Sequence, residues 1–201
     1  MLSSFHPTKA KLVETAVELL ETKLPTDISV DEILEISGIS KGSLYHHFED
    51  LGELLEFAQI ARYAAWVDRS VGLIVSIISQ AKTQDELFAG VVRMSEITQS
   101  LEFKPHRYER ARTIANSVSS PRFAAALAVE QKRLTDSLED VIREVKEKGF
   151  FKKDLNPRVA AVFIQSYTLG KIVDDVVDSP VDQKAWNDFI NNMVKSFMFP
   201  K

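Results

Sequence analysis

Apolar residues recur along this chain three and four positions apart, the spacing that lines one face of a helix, and no run alternates steadily as a half-buried strand would. Leu12, Val13, Ala16, Val17, Leu19 and Leu20 predict a first helix. Pro7 suits its opening position, where the missing N–H would have no intrahelical partner anyway. Pro25 ends the pattern by forcing Leu24 out of the helical region. Two short amphipathic segments follow over residues 28–48, ISVDEILEISGISKGSLYHHF. Ser29 is placed to cap the first by accepting the backbone N–H of Glu32, and Glu32 to reach back to the cap's own N–H. Ile33, Leu34 and Ile36 form its stripe, and Gly38 suits a left-handed stop. Ser40 caps the second segment, in which Leu44 and Phe48 lie one turn apart and face inward. Lys41, Ser43, Tyr45, His46 and His47 remain on its other faces. Leu12, Ala16 and Leu19 are expected to pack under Ile33 and Leu44. Helix, tight turn, then a helix bearing small and hydrogen-bonding residues is the pattern of a helix-turn-helix, whose second helix enters the DNA major groove.

The rest of the pattern is helical too. A fourth helix is predicted from residue 49 through Phe57, Ile60, Ala61 and Ala64 to Trp66 or beyond, with no flexible linker behind the head. Such a helix would tie the head mechanically to the body. Residues 71–81 are almost wholly apolar and are expected to be buried on most sides. Leu87, Phe88, Val91, Val92, Met94 and Ile97 mark a helix over 84–101, Lys104-Pro-His a break, and 108–118 its continuation. Pro121 starts a long helix to Lys148, with Gly149 as its stop. Asn156 and Pro157 open a helix over 159–177, and a last one spans 182–198.

In that last pair Phe163, Ser166, Tyr167, Gly170 and Val173 run down one helix, and Trp186, Ile190, Met193 and Phe197 down the other, at alternating three- and four-residue steps. Gly170 would let another helix approach closely. This is a coiled-coil-like seam. It serves either packing within one bundle or a homodimer built as a four-helix bundle from two such pairs. Two successive seams, more apolar than a small bundle needs, favour the dimer, with these nine residues at its interface.

Seven glycines and seven prolines in 201 residues are too few turns for cooperating strands, and the 45% hydrophobic share is enough for a core. The predicted fold class is therefore all-α, with a three-helix head over residues 1–50 and a larger helical-bundle body over 51–201. Without cysteine there is no disulfide or thiolate chemistry. His46 and His47 point about 100° apart on a helix and cannot easily share an ion. His6 and His106 have no carboxylate cluster beside them in sequence, so neither metal nor cofactor is expected. There is no Gly-x-Ser-x-Gly elbow, phosphate-cradling glycine loop or His-Glu-x-x-His pair, which argues against an enzyme. No secretory signal opens the chain, and residues 71–78 are too short to span a bilayer. A soluble, cytoplasmic protein without a membrane partner is expected.

At SVDEILEISGISKGSLYHHFEDLGELL the sequence resembles the TetR family of bacterial one-component transcriptional regulators. The likeness covers about residues 9–55: a capped helix, a Gly-x-Ser turn, then Lys-Gly-Ser-Leu-Tyr-x-x-Phe. Beyond it only the layout is similar, with Lys148-Gly-Phe-Phe-Lys-Lys-Asp-Leu-Asn-Pro resembling the loop before the family's dimerisation helices. The resemblance implies an N-terminal DNA-binding head and a C-terminal body that dimerises and binds a small effector, which changes the spacing of the heads and releases the operator. It implies that Ser29 and Tyr45 contact phosphates and that Lys41, Gly42 and Ser43 open the recognition helix. His46 and His47 then stand where base edges or adjoining phosphates are read. A phenol or hydroxyl can donate to phosphate, and imidazole can donate to a purine N7. The family usually carries a lysine three residues beyond the Phe; here that position is Leu51.

Charge alters this picture. Residues 1–50 hold four lysines and no arginine against six Glu and three Asp, a formal −5 beside −4 for the whole chain. Affinity for DNA rests largely on phosphate neutralisation, so a shallow salt dependence is expected. Within the body, Tyr63, Trp66, Phe88, Met94, Phe103, Phe123 and Tyr167 are of the types that line an apolar pocket, with Arg112 and Asn116 placed to orient a ligand. Burial of Arg93 or Arg112 without a carboxylate would indicate an anionic effector. Asp174, Asp175 and Asp178 are expected to be solvated. Two functions remain: a dimeric regulator, in the main a repressor, released from a pseudo-palindromic operator by a small, mostly apolar effector; or a protein of the same fold with weakened DNA binding that acts through protein partners.

Overall fold

The caps and glycines of the head produce the helices they predict. The computed structural model describes residues 5–200, and among them every regular element is helical. Helix α1 (Pro7–Leu19) begins at its proline, with His6 Nδ1 accepting the N–H of Thr8. A short 3-10 turn at Pro25–Asp27 leads into α2 (Val30–Ser37). Ser29 Oγ accepts the N–H of Glu32 at 3.2 Å, as expected. The Glu32 carboxylate turns instead to Lys23 Nζ, 2.5 Å away. Gly38 ends the helix at φ +69°, the left-handed conformation that costs glycine no Cβ clash. Ser40 Oγ then accepts the N–H of Ser43 and caps α3 (Lys41–His47).

Contacts divide the chain into two compact units. One comprises the described residues up to Trp66 with Ser117–Glu130; the other comprises Val67–Asn116 with the residues from Gln131 onward. The division falls inside two long helices, α4 (Leu51–Gln80) and α7 (Pro121–Glu147).

In the first unit α1 packs against α2 and α3. Leu12, Val13, Ala16, Ile33, Leu44, Leu54 and Ala58 lose all solvent exposure there, and Phe48 nearly all. Removing a side chain such as Leu44 from water is worth about 2 kcal/mol. Leu51 is half-buried against this core, so the position where the family carries a lysine is spent on packing. Arg122 of α7 meets Glu56 at 2.8 Å, with Glu49 at 3.6 Å and Glu53 at 3.7 Å beyond.

The second unit adds α5 (Gln84–Gln99), α6 (Lys104–Ser117), α8 (Pro157–Gly170), a four-residue α9 (Ile172–Asp175) and α10 (Gln183–Met198). Here α5 packs on α8 and α10. Three expectations are corrected. No break separates the fourth helix from residues 71–81; no proline interrupts that stretch, and Gly72 sits in the helix with open space beside it. Those residues are not buried on most sides, since Leu73 and Val75 are nearly half exposed. The helix expected over 159–177 stops at Gly170, and Lys171 and Asp174 make a new start.

Candidate nucleic-acid interface

The α3 surface is held from beneath. Leu44 and Phe48 fix the helix on the core, which leaves Lys41, Gly42, Tyr45 and His46 exposed and Ser43 and His47 half-buried. Tyr45 stands 46% exposed, unusual for a ring this large without a partner surface. Ser29 is exposed while capping α2, and Ser43 Oγ lies 3.0 Å from Ser40 Oγ. A Cβ built on Gly42 would touch nothing within 4 Å, so nothing in this chain's packing demands a glycine there. Glycine inside a helix costs about 1 kcal/mol against alanine. All seven residues expected to meet DNA belong to the first unit, six of them on α3 and Ser29 at the start of α2.

The cations of the head are committed elsewhere. Lys9, expected on the DNA side, has its Nζ 4.1 Å from the ring centroid of Phe57, 5.0 Å from Phe48 and 5.1 Å from Phe5. An ammonium ringed by three aromatic faces is attracted to their quadrupoles and has left the solvent face. Lys23 is paired with Glu32, so Lys11 and Lys41 are the remaining exposed lysines of residues 5–50. Three imidazoles gather at the end of α3: His47 stacks on His6 with centroids 5.3 Å apart and meets His46 edge-on at 5.1 Å. Burial first, then the neighbouring charges of His46, His6 and Lys9, holds the His47 pKa below its ordinary value. No group of three His, Cys, Asp or Glu among the described residues is arranged to hold a metal.

The residues expected at an effector site are divided between the two units. Tyr63 and Trp66 meet at a tilt in the first unit, and Phe123 is buried there beside Phe57 and Ile60. Phe88 meets Phe199 edge-on, and Phe103 tilts over His106. Arg112 and Asn116 are exposed on α6, as is Arg93 on α5, so neither arginine is a buried charge seeking an anion. Met94 and Tyr167 alone of the nine line the cavity of the second unit. At the expected dimer seam Ser166, Gly170, Val173 and Phe197 are exposed, while Phe163, Tyr167, Trp186 and Met193 are half-buried. Ile190 is a core residue at 2% exposure and cannot face another chain. Val159, Val162 and Phe189 are exposed apolar residues on the same two helices that the seam reading missed.

Residues 12–58 match the family described as bacterial regulatory proteins, tetR family. Over those residues the head is similar to the helix-turn-helix region of the TetR family. The chain is 22% identical over 187 residues to the HTH-type transcriptional regulator UidR of Escherichia coli K12, covering 87% of this chain and 84% of that one. Its fold is shared by Salmonella enterica GusR (TM-score 0.68, 20% identity, 96% and 95% of the two chains). The reduced form of Escherichia coli NemR is similar as well (TM-score 0.66, 17% identity, 97% and 100%). The relative UidR is described as a transcriptional regulator. No helix among the described residues is long and apolar enough to cross a membrane.

One part of the second unit had no forecast in the sequence. Asp175, expected in solvent, is buried between two cations. Arg107 Nε and Nη2 grip its carboxylate at 2.6 and 2.8 Å, and Lys171 Nζ lies 3.6 Å away. The same guanidinium donates to the carbonyls of Thr98 and Ser100 at 2.8 and 3.1 Å. These are the orphan carbonyls at the end of α5, where a cation is favoured. Asp174 binds Lys171 at 2.5 Å and accepts the N–H of Val181, and the lysine first among these holds its carboxyl below the usual range. A charged residue reads as surface until its partner, 68 positions away, is known.

Proposed function

We propose that this protein is a TetR-family regulator acting in the cytoplasm as a homodimeric repressor, binding a pseudo-palindromic operator and releasing it when a small, mostly apolar effector enters the body. The exposed face of α3, anchored by Leu44 and Phe48, is the observation that carries the reading. Lys41, Gly42, Ser43, Tyr45, His46 and His47 lie along it, with Ser29 at the head of α2 to meet the backbone. Gly42 supports a close approach from outside, because its missing Cβ serves no neighbour within the chain. Phosphate contacts position such a helix and base edges give it sequence preference. Dimerisation is supported by the apolar residues left bare at the chain's end, among them Val173 at 76% exposure and Phe197 at 64%. A two-fold dimer reads two half-sites about one or more helical turns apart.

The test is selection of random duplex DNA with the purified protein at low salt. An enriched inverted repeat is expected, with Tyr45→Ala/His47→Ala abolishing its binding while the dimer persists in sedimentation. Because Lys9 and Lys23 are occupied, the slope of log affinity against log salt should stay shallower than about −6, at roughly −0.9 per neutralised phosphate. No enriched palindrome, or binding that survives the double substitution, overturns the reading.

A further inference from the structure

Between α4, α5, α7, α8 and α10 the second unit holds a cavity of about 100 Å3. Its walls are aliphatic: Ile74, Ile77 and Ile78 from α4, Val91 from α5, and Val141 and Ile142 from α7 are typical of them. No charged side chain reaches it. Its one side chain with a hydrogen-bonding oxygen or nitrogen is Tyr167, whose hydroxyl lies 3.4 Å from the buried Ser95 Oγ. Burial raises the phenol's pKa, so this pair offers a neutral donor and acceptor.

The lining itself offers no counter-ion for a charged guest. The buried Arg107 already spends Nε, Nη1 and Nη2 on Asp175 and two backbone carbonyls, and Lys171 is held by Asp174 and Asp175. An unpaired charge in such surroundings is far too costly to leave unneutralised. A dry apolar cavity of about 150 Å3 accepts one benzene ring. At about 100 Å3 this cavity is smaller, so it suits a slender chain, and a single ring enters only as the walls yield.

We propose that the effector class of this regulator is an uncharged, slender hydrocarbon bearing at most one oxygen, received in this cavity with Tyr167 and Ser95 reading that oxygen, and that carboxylates are excluded. This rests on the reading of the protein as an effector-released repressor.

The test compares octan-1-ol, octanoate and toluene by titration calorimetry on the full chain near neutral pH. Octan-1-ol should bind at least tenfold more tightly than octanoate. Tyr167→Phe should weaken octan-1-ol several-fold and leave toluene unchanged, an outcome a merely structural role for the phenol would not give. Val91→Phe and Val141→Phe fill the cavity from two helices, and whichever keeps the native melting profile should lose both ligands at least tenfold. Equal or tighter binding of octanoate, no binding of octan-1-ol or toluene at millimolar concentration, or binding that survives filling overturns the assignment. Operator release separates the two ideas. If octan-1-ol binds as described but leaves the selected operator bound, the cavity assignment stands and the effector role fails. If a charged compound releases the operator without competing with toluene, the cavity assignment fails and the repressor reading stands.

Discussion

In the first unit Leu12, Ile33, Leu44 and Leu54 close on one another with no exposure left, and its charges stay outside or, for Lys9, against aromatic rings. In the second unit aliphatic walls stand apart around a cavity, and Arg107, Lys171 and Asp175 lie inside. Both are helices burying apolar stripes, but the first spends burial on a fixed platform and the second keeps space and buried ions. A solid platform suits presentation of a rigid face such as α3. A hollow body held by ion pairs at specific points is the kind of packing a ligand can change, because removing or filling a void alters contacts all round it. Trp66 belongs to the first unit and Trp186 to the second, so single-tryptophan variants follow each by fluorescence.

The largest expected effect breaks the ionic end of the second unit. Asp175→Ala strands Arg107 and deprives Lys171 of one partner, and losing one member of a buried pair costs about 3–5 kcal/mol. Urea unfolding followed at Trp186 should show that loss. Adding Arg107→Met should restore most of it, since no uncompensated guanidinium remains and Lys171 keeps Asp174. If the double variant is no better than the single one, the ion cluster is not what Asp175 stabilises.

Next in size is the contrast between solid and hollow packing. Leu44→Ala removes a fully buried side chain from a filled core and should cost about 2–5 kcal/mol, read at Trp66. Val91→Ala, on the wall of an existing cavity, should cost under about 1.5 kcal/mol, read at Trp186, because Val91 is half-buried and makes fewer contacts to lose. Equal losses would mean that the cavity closes in solution. Gly90→Ala tests the same wall from the opposite sense. A Cβ there would come within 2.5 Å of Ile77 Cγ2, a stiff branched side chain. Overpacking of about 1–3 kcal/mol should therefore outweigh the roughly 1 kcal/mol that alanine gains in a helix. A stabilised variant would show that Ile77 yields freely into the cavity.

The same contrast decides what the sequence made legible. The head was readable because its signals are local: Ser29, Ser40 and Gly38 each act within four residues of themselves, and Leu44 and Phe48 sit one turn apart. The body's signals are distant. Ser166, Gly170, Val173 and Phe197 are outward-facing, but Ile190 on the same seam is core, and spacing along one helix cannot say which of two apolar stripes a neighbour covers. The cavity was sought among aromatic residues and is lined chiefly by branched aliphatics, which carry no mark to separate a wall from a core. Arg107 and Asp175, like Lys9 in its aromatic ring, look like surface charges until the fold brings their partners in.

The smallest expected effect lies at the edge of the platform, where the head's packing and its charge shortage meet. His47 touches His6 and His46, and Lys9 adds a further positive charge. Its folded pKa is lowered from 6.5, so over that window the unfolded chain binds the proton more readily than the folded one. Stability rises with pH wherever the unfolded state binds more protons. The contribution is therefore lost as pH falls below the unfolded value and further through the folded one. Wild type and His47→Gln, compared by the urea midpoint at Trp66 at about pH 7.5 and pH 5.5, should diverge on acidification, with wild type losing slightly more. Protonation at the same ring adds positive charge beside the face assigned to DNA, so operator affinity should move the other way and strengthen. A wild-type head that gains stability relative to His47→Gln at the lower pH would mean that the imidazoles separate in solution, and the platform would then be less rigid at its edge than at its core.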